Sequence, residues 1–200
     1  MNFLAHIYLS GTNPRVQIGN FMGDGIRGRD YLHFHKDIQA GVLLHRSIDS
    51  YTDFHPVFRT SKHRLVPKFN HLSGIIVDMF YDHFLAKNWH LYHHEDLSVF
   101  TSRFYSNLRE HKDELNIKTR NLLPHMVKQN WLERYANLTD LQQILGQMDH
   151  RFSFQSNMNE SVEDLFTHYD EFHKEFQLFF KDLMVHAEKE KKRIEQDLKK

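Results

Sequence analysis

The chain of 200 residues contains no cysteine, which excludes disulfides, thiolate metal sites and cysteine nucleophiles together. Four prolines and eight glycines leave little turn chemistry for an all-β protein. No window approaches the roughly 18 uninterrupted apolar residues that crossing a membrane requires, so no spanning segment is expected. The first residues, Met1-Asn2-Phe3-Leu4-Ala5-His6, lack the basic start and clean apolar stretch of a secretory signal, and the expected location is the cytoplasm. Lysine plus arginine balance aspartate plus glutamate at 26 each, so no global charge drives the chain to nucleic acid or to a membrane.

One further absence is local. Residues 1–94 contain no glutamate, yet they carry seven aspartates and 11 of the 17 histidines. The expected organisation is a single domain over 1–200, with a site-bearing region at 1–94, a helical remainder at 95–186 and a charged tail at 187–200. Helical spacing is widespread and alternation scarce, which predicts an all-α, irregular and compact helical bundle. Helices are predicted at 2–9, 14–24, 37–54, 57–64, 72–88, 96–110, 118–135 and 138–149. A last helix starts near Ser161, with a Phe172, Phe176, Phe179 and Phe180 ladder that reads as core. Its lysine-rich end, with Ile194 and Leu198 as the only aliphatics from 189 onward, is expected to fray into solvent.

Carboxylates inside apolar helices carry the chemistry. Asp78 and Asp82 stand four apart, roughly 40° on a helical wheel, among Ile75, Ile76, Met79, Phe80, Phe84 and Leu85. Two like charges on one buried stripe repel, and an unpaired buried charge costs several kcal/mol, so a cation should face them. Arginine partners and a metal ion both satisfy that demand. His45, Asp49 and Asp53 repeat the spacing on the preceding helix, where one turn brings an imidazole nitrogen and a carboxylate oxygen around one point. Arg46 projects beside them; a histidine simply bonded to an aspartate in the core would look the same. Asn20 and Asp24 lie in Gly19-Asn20-Phe21-Met22-Gly23-Asp24-Gly25-Ile26-Arg27-Gly28, with Asp24 expected on a last helical turn capped by Gly25. Convergence of these short, rigid side chains points to a divalent-metal centre. Oxygen and imidazole donors favour Mn²⁺, Mg²⁺ or Fe²⁺ and admit Zn²⁺.

In order and spacing, Asn2-Phe3-Leu4-Ala5-His6, Gly19-Asn20 through Asp24 to Arg27-Gly28, His45-Arg46-x-Ile48-Asp49-x-x-Thr52-Asp53 and Asp78-x-x-x-Asp82-His83-Phe84-Leu85 resemble the acyl carrier protein phosphodiesterase family. That family is also called acyl carrier protein hydrolase. The resemblance continues through Trp131-Leu132-x-Arg134-Tyr135 and the C-terminal aromatic helix. It implies an all-helical enzyme distantly related to HD-type metal-dependent phosphohydrolases. Such an enzyme removes the 4′-phosphopantetheine arm from holo-acyl carrier protein with a divalent cation, typically manganese. No adjacent His-Asp pair occurs here, and Asp82-His83 has the reverse order.

The resemblance carries over Asp24, His45, Asp49, Asp78, Asp82 and His83. In that reading Asp24, His45, Asp49, Asp78 and Asp82 hold one or two ions, while Arg46 or Arg27 offsets charge on phosphorus. His83 or His6 gives a proton to the leaving oxygen. Asp24, His45, Arg46, Asp82 and His83 form the expected catalytic set. Between Asp53 and Asp78 there is no acid, and Arg59, Lys62, Arg64 and Lys68 make a basic stretch suited to an acidic carrier protein, or simply a solvated helix face. A helical phosphohydrolase of small phosphoesters and a non-catalytic metal-binding scaffold fit the same residues.

Overall fold

Asparagines open the first two helices. In the computed structural model, which describes residues 1–149 and 156–199, the Asn2 side chain accepts the Phe3 N–H and starts α1, Phe3–Leu9. Asn13 accepts the Arg15 and Val16 N–H groups, and Pro14 occupies the first turn of α2, Pro14–Met22, where its missing N–H is no loss. Short 3₁₀ turns at Gly23–Gly25 and Asp30–His33 lead into α3, Lys36–Phe54. Then follow α4, Pro56–Phe69; α5, Ser73–Lys87; α6, Leu97–Glu110; α7, Ile117–Gln129; and α8, Trp131–Arg134. The chain closes with α9, Leu138–Asp149; α10, Ser161–Thr167; and α11, Tyr169–Lys199. Among the described residues there is no strand, so the all-α expectation holds. None of these helices is long and apolar enough to cross a membrane.

The predicted boundaries differ in four places. Helix α4 runs through Pro67 to Phe69, because burying Leu65 and Phe69 offsets one lost backbone bond. The stretch 118–135 breaks at Asn130, whose left-handed backbone (φ 49°) ends α7, a conformation asparagine reaches at little cost. The C-terminal helix breaks at His168, and Phe166, beyond the core stripe, is exposed. Finally, the charged tail does not fray. Helix α11 continues to Lys199, Ile194 is buried, and Lys36 Nζ donates to the Leu198 carbonyl at 2.7 Å. Glu190–Arg193 and Arg193–Asp197 pairs add the modest support of one-turn neighbours.

Helix α3 packs against both α2 and α11, while α5 packs against α1, α4, α9 and α11. The approach of α2 to α3 is at backbone distance: a Cβ on Gly41 would overlap the Val16 carbonyl oxygen. Phe172, Phe176, Phe179 and Phe180 are fully buried, as the ladder implied, in one apolar core running from Met1 to Ile194. The close α2–α3 contact sets the site, since it presses the Gly23–Gly25 turn onto the α3 turn that carries His45.

Candidate active site

A Cβ on Gly23 would overlap His45 Cγ, so the glycine is what lets α3 pack under the turn bearing Asp24. The expected helix end at Asp24 is a 3₁₀ turn, and Gly25 is not a left-handed cap. His45 Nε2 lies 3.2 Å from Asp24 Oδ1 and 3.0 Å from Asp49 Oδ2, one turn along α3. The other Asp49 oxygen is 3.2 Å from His6 Nε2, which α1 delivers. The His6 and His45 rings stack at 4.2 Å. His6, His45 and Asp49 each offer one ligand atom, all within 4.8 Å of one another. Both imidazoles are buried, at 2% and 5% exposure, whereas the Asp24 and Asp49 side chains stay 61% and 39% open.

Hydrogen bonding fixes how His6 is presented. The Asn20 amide nitrogen donates to the His6 carbonyl and to Ser10 Oγ, both at 2.9 Å, which turns its oxygen toward His6 Nδ1 at 2.7 Å. Nδ1 therefore holds the ring proton. Nε2 then faces only acceptors, Asp49 Oδ1 and the Met1 carbonyl at 3.0 Å. A neutral ring would aim a lone pair at two oxygens, and burial together with the neighbouring His45 pushes His6 away from taking a second proton. A cation between these atoms would remove the conflict. His45 Nδ1 is buried without a hydrogen-bond partner among the described residues.

The charges agree. Burial works against protonated His45, yet hydrogen bonds to Asp24 and Asp49 hold its pKa up near 9. Burial works against the Asp49 carboxylate too, and the hydrogen bond from His45 with the nearby Met1 ammonium keeps it far below the usual range. The His45 hydrogen bond also lowers Asp24. Asp78 is near this group rather than in it: the Met1 nitrogen sits 2.8 Å from Asp78 Oδ1 and 3.9 Å from Asp49 Oδ1. Burial pushes the Asp78 carboxyl up to about 6, with the Met1 amino group opposing.

Four expected site residues are elsewhere. Asp82, fully buried, accepts the Leu4 N–H at 2.8 Å and the Ala5 N–H at 3.2 Å, so both oxygens cap α1 instead of facing an ion. His83 is sealed in the core, donating from Nδ1 to the Tyr135 carbonyl at 2.8 Å and accepting the Tyr169 hydroxyl at 3.0 Å. Arg46 donates to the Ile26 carbonyl at 3.0 Å and lies over the Tyr31 ring, bracing the segment after Asp24. Arg27 is exposed and is not among the cavity residues.

Over the cluster lies a cavity of about 750 Å³. Asp24, Asp49, Asp53 and Asp78 line it from α3, α5 and the Gly23–Gly25 turn, and Phe3, Ile75, Leu122, Trp131 and Met148 supply apolar wall. Lys118, Asn121 and His125 of α7, which no sequence motif singles out, also line it. Their only local signal is a spacing of three and four on one polar helix face. Of the basic stretch, Arg64 grips Glu175 at 2.8 and 2.6 Å and Lys68 pairs with Asp164 at 2.7 Å, so both already have a carboxylate partner. Arg59 is exposed, and the Lys62 stem passes Gly74, next to the cavity residue Ile75.

Comparison with known proteins reaches the whole of this arrangement. The family model for acyl carrier protein phosphodiesterase matches residues 1–183. A Photorhabdus laumondii protein called acyl carrier protein phosphodiesterase is 32% identical over 189 residues, 94% of this chain and 96% of that protein. Proteins of the same name from Enterobacter sp. strain 638 and Pectobacterium atrosepticum are each 30% identical, over 94% and 92% of this chain and 97% and 96% of theirs. No solved structure matches the chain. With Asp24, His45, Asp49 and the cavity above them all inside the matched span, the chain belongs to the acyl carrier protein phosphodiesterase family.

Proposed function

We propose that this protein, acting in the cytoplasm, hydrolyses the phosphodiester that joins 4′-phosphopantetheine to the serine of holo-acyl carrier protein. The products are apo-carrier protein and 4′-phosphopantetheine. The reading includes a divalent cation held by His6, His45 and Asp49 with Asp24, Mn²⁺ before Mg²⁺ or Fe²⁺. The observation that carries it is His6 Nε2 set against Asp49 Oδ1 and the Met1 carbonyl, an acceptor-lined point that only a proton or a metal can occupy. A bound divalent ion supplies Lewis acidity toward the phosphoryl group and makes a water more acidic.

The chain's own residues do the rest. Asn20 locks the His6 ring, and Asp82 anchors the helix end two residues before it. Asp78 stays apart with its Met1 partner and shapes the acidic floor. Protonating the leaving serine oxygen falls to a group lining the cavity, because His83 has no path to it. Arg59 and Lys62, the members of the basic stretch without a carboxylate partner among the described residues, suit an acidic carrier protein, and the Lys62 stem passes Gly74 beside the cavity residue Ile75.

The test is incubation of purified holo-carrier protein with this protein and Mn²⁺, with and without chelator, read by intact-mass spectrometry. Loss of the arm only with metal is expected. An unchanged holo-protein alongside hydrolysis of small phosphoesters would turn the reading to a small-molecule phosphohydrolase.

A further inference from the structure

Four carboxylates around one cavity present any phosphate ester with a negative field, and a divalent ion together with the Met1 ammonium beside Asp78 neutralises only part of it. Something on the opposite wall must attract the anion. Lys118, Asn121 and His125 stand at i, i+3 and i+7 on α7, so they share one helix face, and all three line the cavity. They bring an ammonium, an amide N–H₂ and an imidazole, and among the described residues no carboxylate pairs with Lys118 or His125. The wall is built firmly where it meets the cluster. The Asn116 N–H points to Met22 Sδ at 3.3 Å, its side chain caps α7 through the Thr119 N–H at 2.8 Å, and Arg15 on α2 clasps Glu114 just before it. The Lys118 stem passes 3.5 Å from where a Gly25 Cβ would stand, beside Asp24.

We infer that this face of α7 is a phosphoryl-binding wall: Lys118, with Asn121 and His125, holds the non-bridging oxygens of a phosphate ester against the acidic cluster. In this substrate-positioning role it rests on the proposed hydrolysis, but binding of the anion is separable from it. The ligand class is a phosphate mono- or diester anion, and the side chains act as hydrogen-bond donors to it. A purely solvated helix face would show no such preference.

Inorganic phosphate is the probe, titrated calorimetrically into the full chain, once after chelator treatment and once with Mn²⁺. Lys118→Gln and His125→Gln, both exposed and both neutral to helix formation, are expected to weaken phosphate by about tenfold to a hundredfold in each condition, and Lys118→Arg to recover most of it. The same variants should raise KM for holo-carrier protein more than they lower kcat. Circular dichroism guards against misfolding, and the two substitutions on separate turns give independent readings. Phosphate affinity unchanged in both variants, or no phosphate binding to the parent protein, overturns the wall. Lys118-dependent phosphate binding without arm removal would leave the wall standing and sink the proposed hydrolysis; arm removal indifferent to Lys118 would do the reverse.

Discussion

Asp82 and Leu4 are joined by a 2.8 Å hydrogen bond from a backbone N–H to a fully buried carboxylate, across 78 positions of sequence. The bond, with its Ala5 companion, holds the first turn of α1 in a fixed place and so fixes His6 just beyond it. Asp82 is thus a positioning residue for the cluster. Asp82→Ala should lower the unfolding free energy by about 1–3 kcal/mol, since the two N–H groups lose their acceptor inside the core. Denaturant unfolding measures it. A variant as stable as the parent would contradict the capping role.

The adjacent buried pair gives opposite pH slopes. Burial lowers His83 to about 4 from an ordinary 6.5, so the unfolded chain binds the extra proton between those values and His83 makes stability rise with pH there. Burial raises Asp82 to about 7 from 3.8, so the folded chain binds the extra proton and Asp82 makes stability fall as pH climbs through that range. Chemical unfolding from pH 4 to 7 should therefore show the rising component missing in His83→Gln and the falling one missing in Asp82→Asn. Parallel curves for parent and variants would refute both assignments.

Metal retention should depend on Asn20, which touches no ion in the proposed arrangement. Replacing Asn20 with alanine frees the His6 ring from its 2.7 Å bond, and a loss of about 10–100-fold in Mn²⁺ affinity is expected, with secondary structure intact. Asp49→Asn should cost more, because Asp49 bridges both imidazoles. Metal analysis after gentle purification reads both; stoichiometric Mn²⁺ in Asp49→Asn would remove the centre from consideration.

Carrier-protein docking should separate the four basic residues of α4. Charge reversal at Arg59 or Lys62 is expected to raise KM several-fold with kcat nearly unchanged, and the parent's kcat/KM to fall as salt rises. Arg64→Gln should instead lower thermal stability, because it strands the Glu175 carboxylate that Arg64 grips at two points. Equal kinetic effects at all four positions would contradict this division.

The C-terminal stretch tests packing alone. Ile194 is 3% exposed on α11, and Ile194→Ala should cost about 2–4 kcal/mol, a value no frayed tail could give.

Periodicity alone was enough for the helical class, for the Phe172–Phe180 core ladder and for His45 beside Asp49, because one helical turn is a local distance that any helix reproduces. The family was readable from motif order and spacing for a similar reason, since both are properties of the chain as written. Tertiary structure decided the rest. Asp78 and Asp82 share a stripe one turn apart, yet one faces the cavity and the other caps α1, because the partner of each comes from a segment more than seventy residues away. The same long-range packing sealed His83 against Tyr135, occupied Arg64 and Lys68, and aimed an unremarked face of α7 at the acidic cluster. Spacing along a helix tells which side chains stand together; what stands opposite them is set only when helices distant in sequence close on one another.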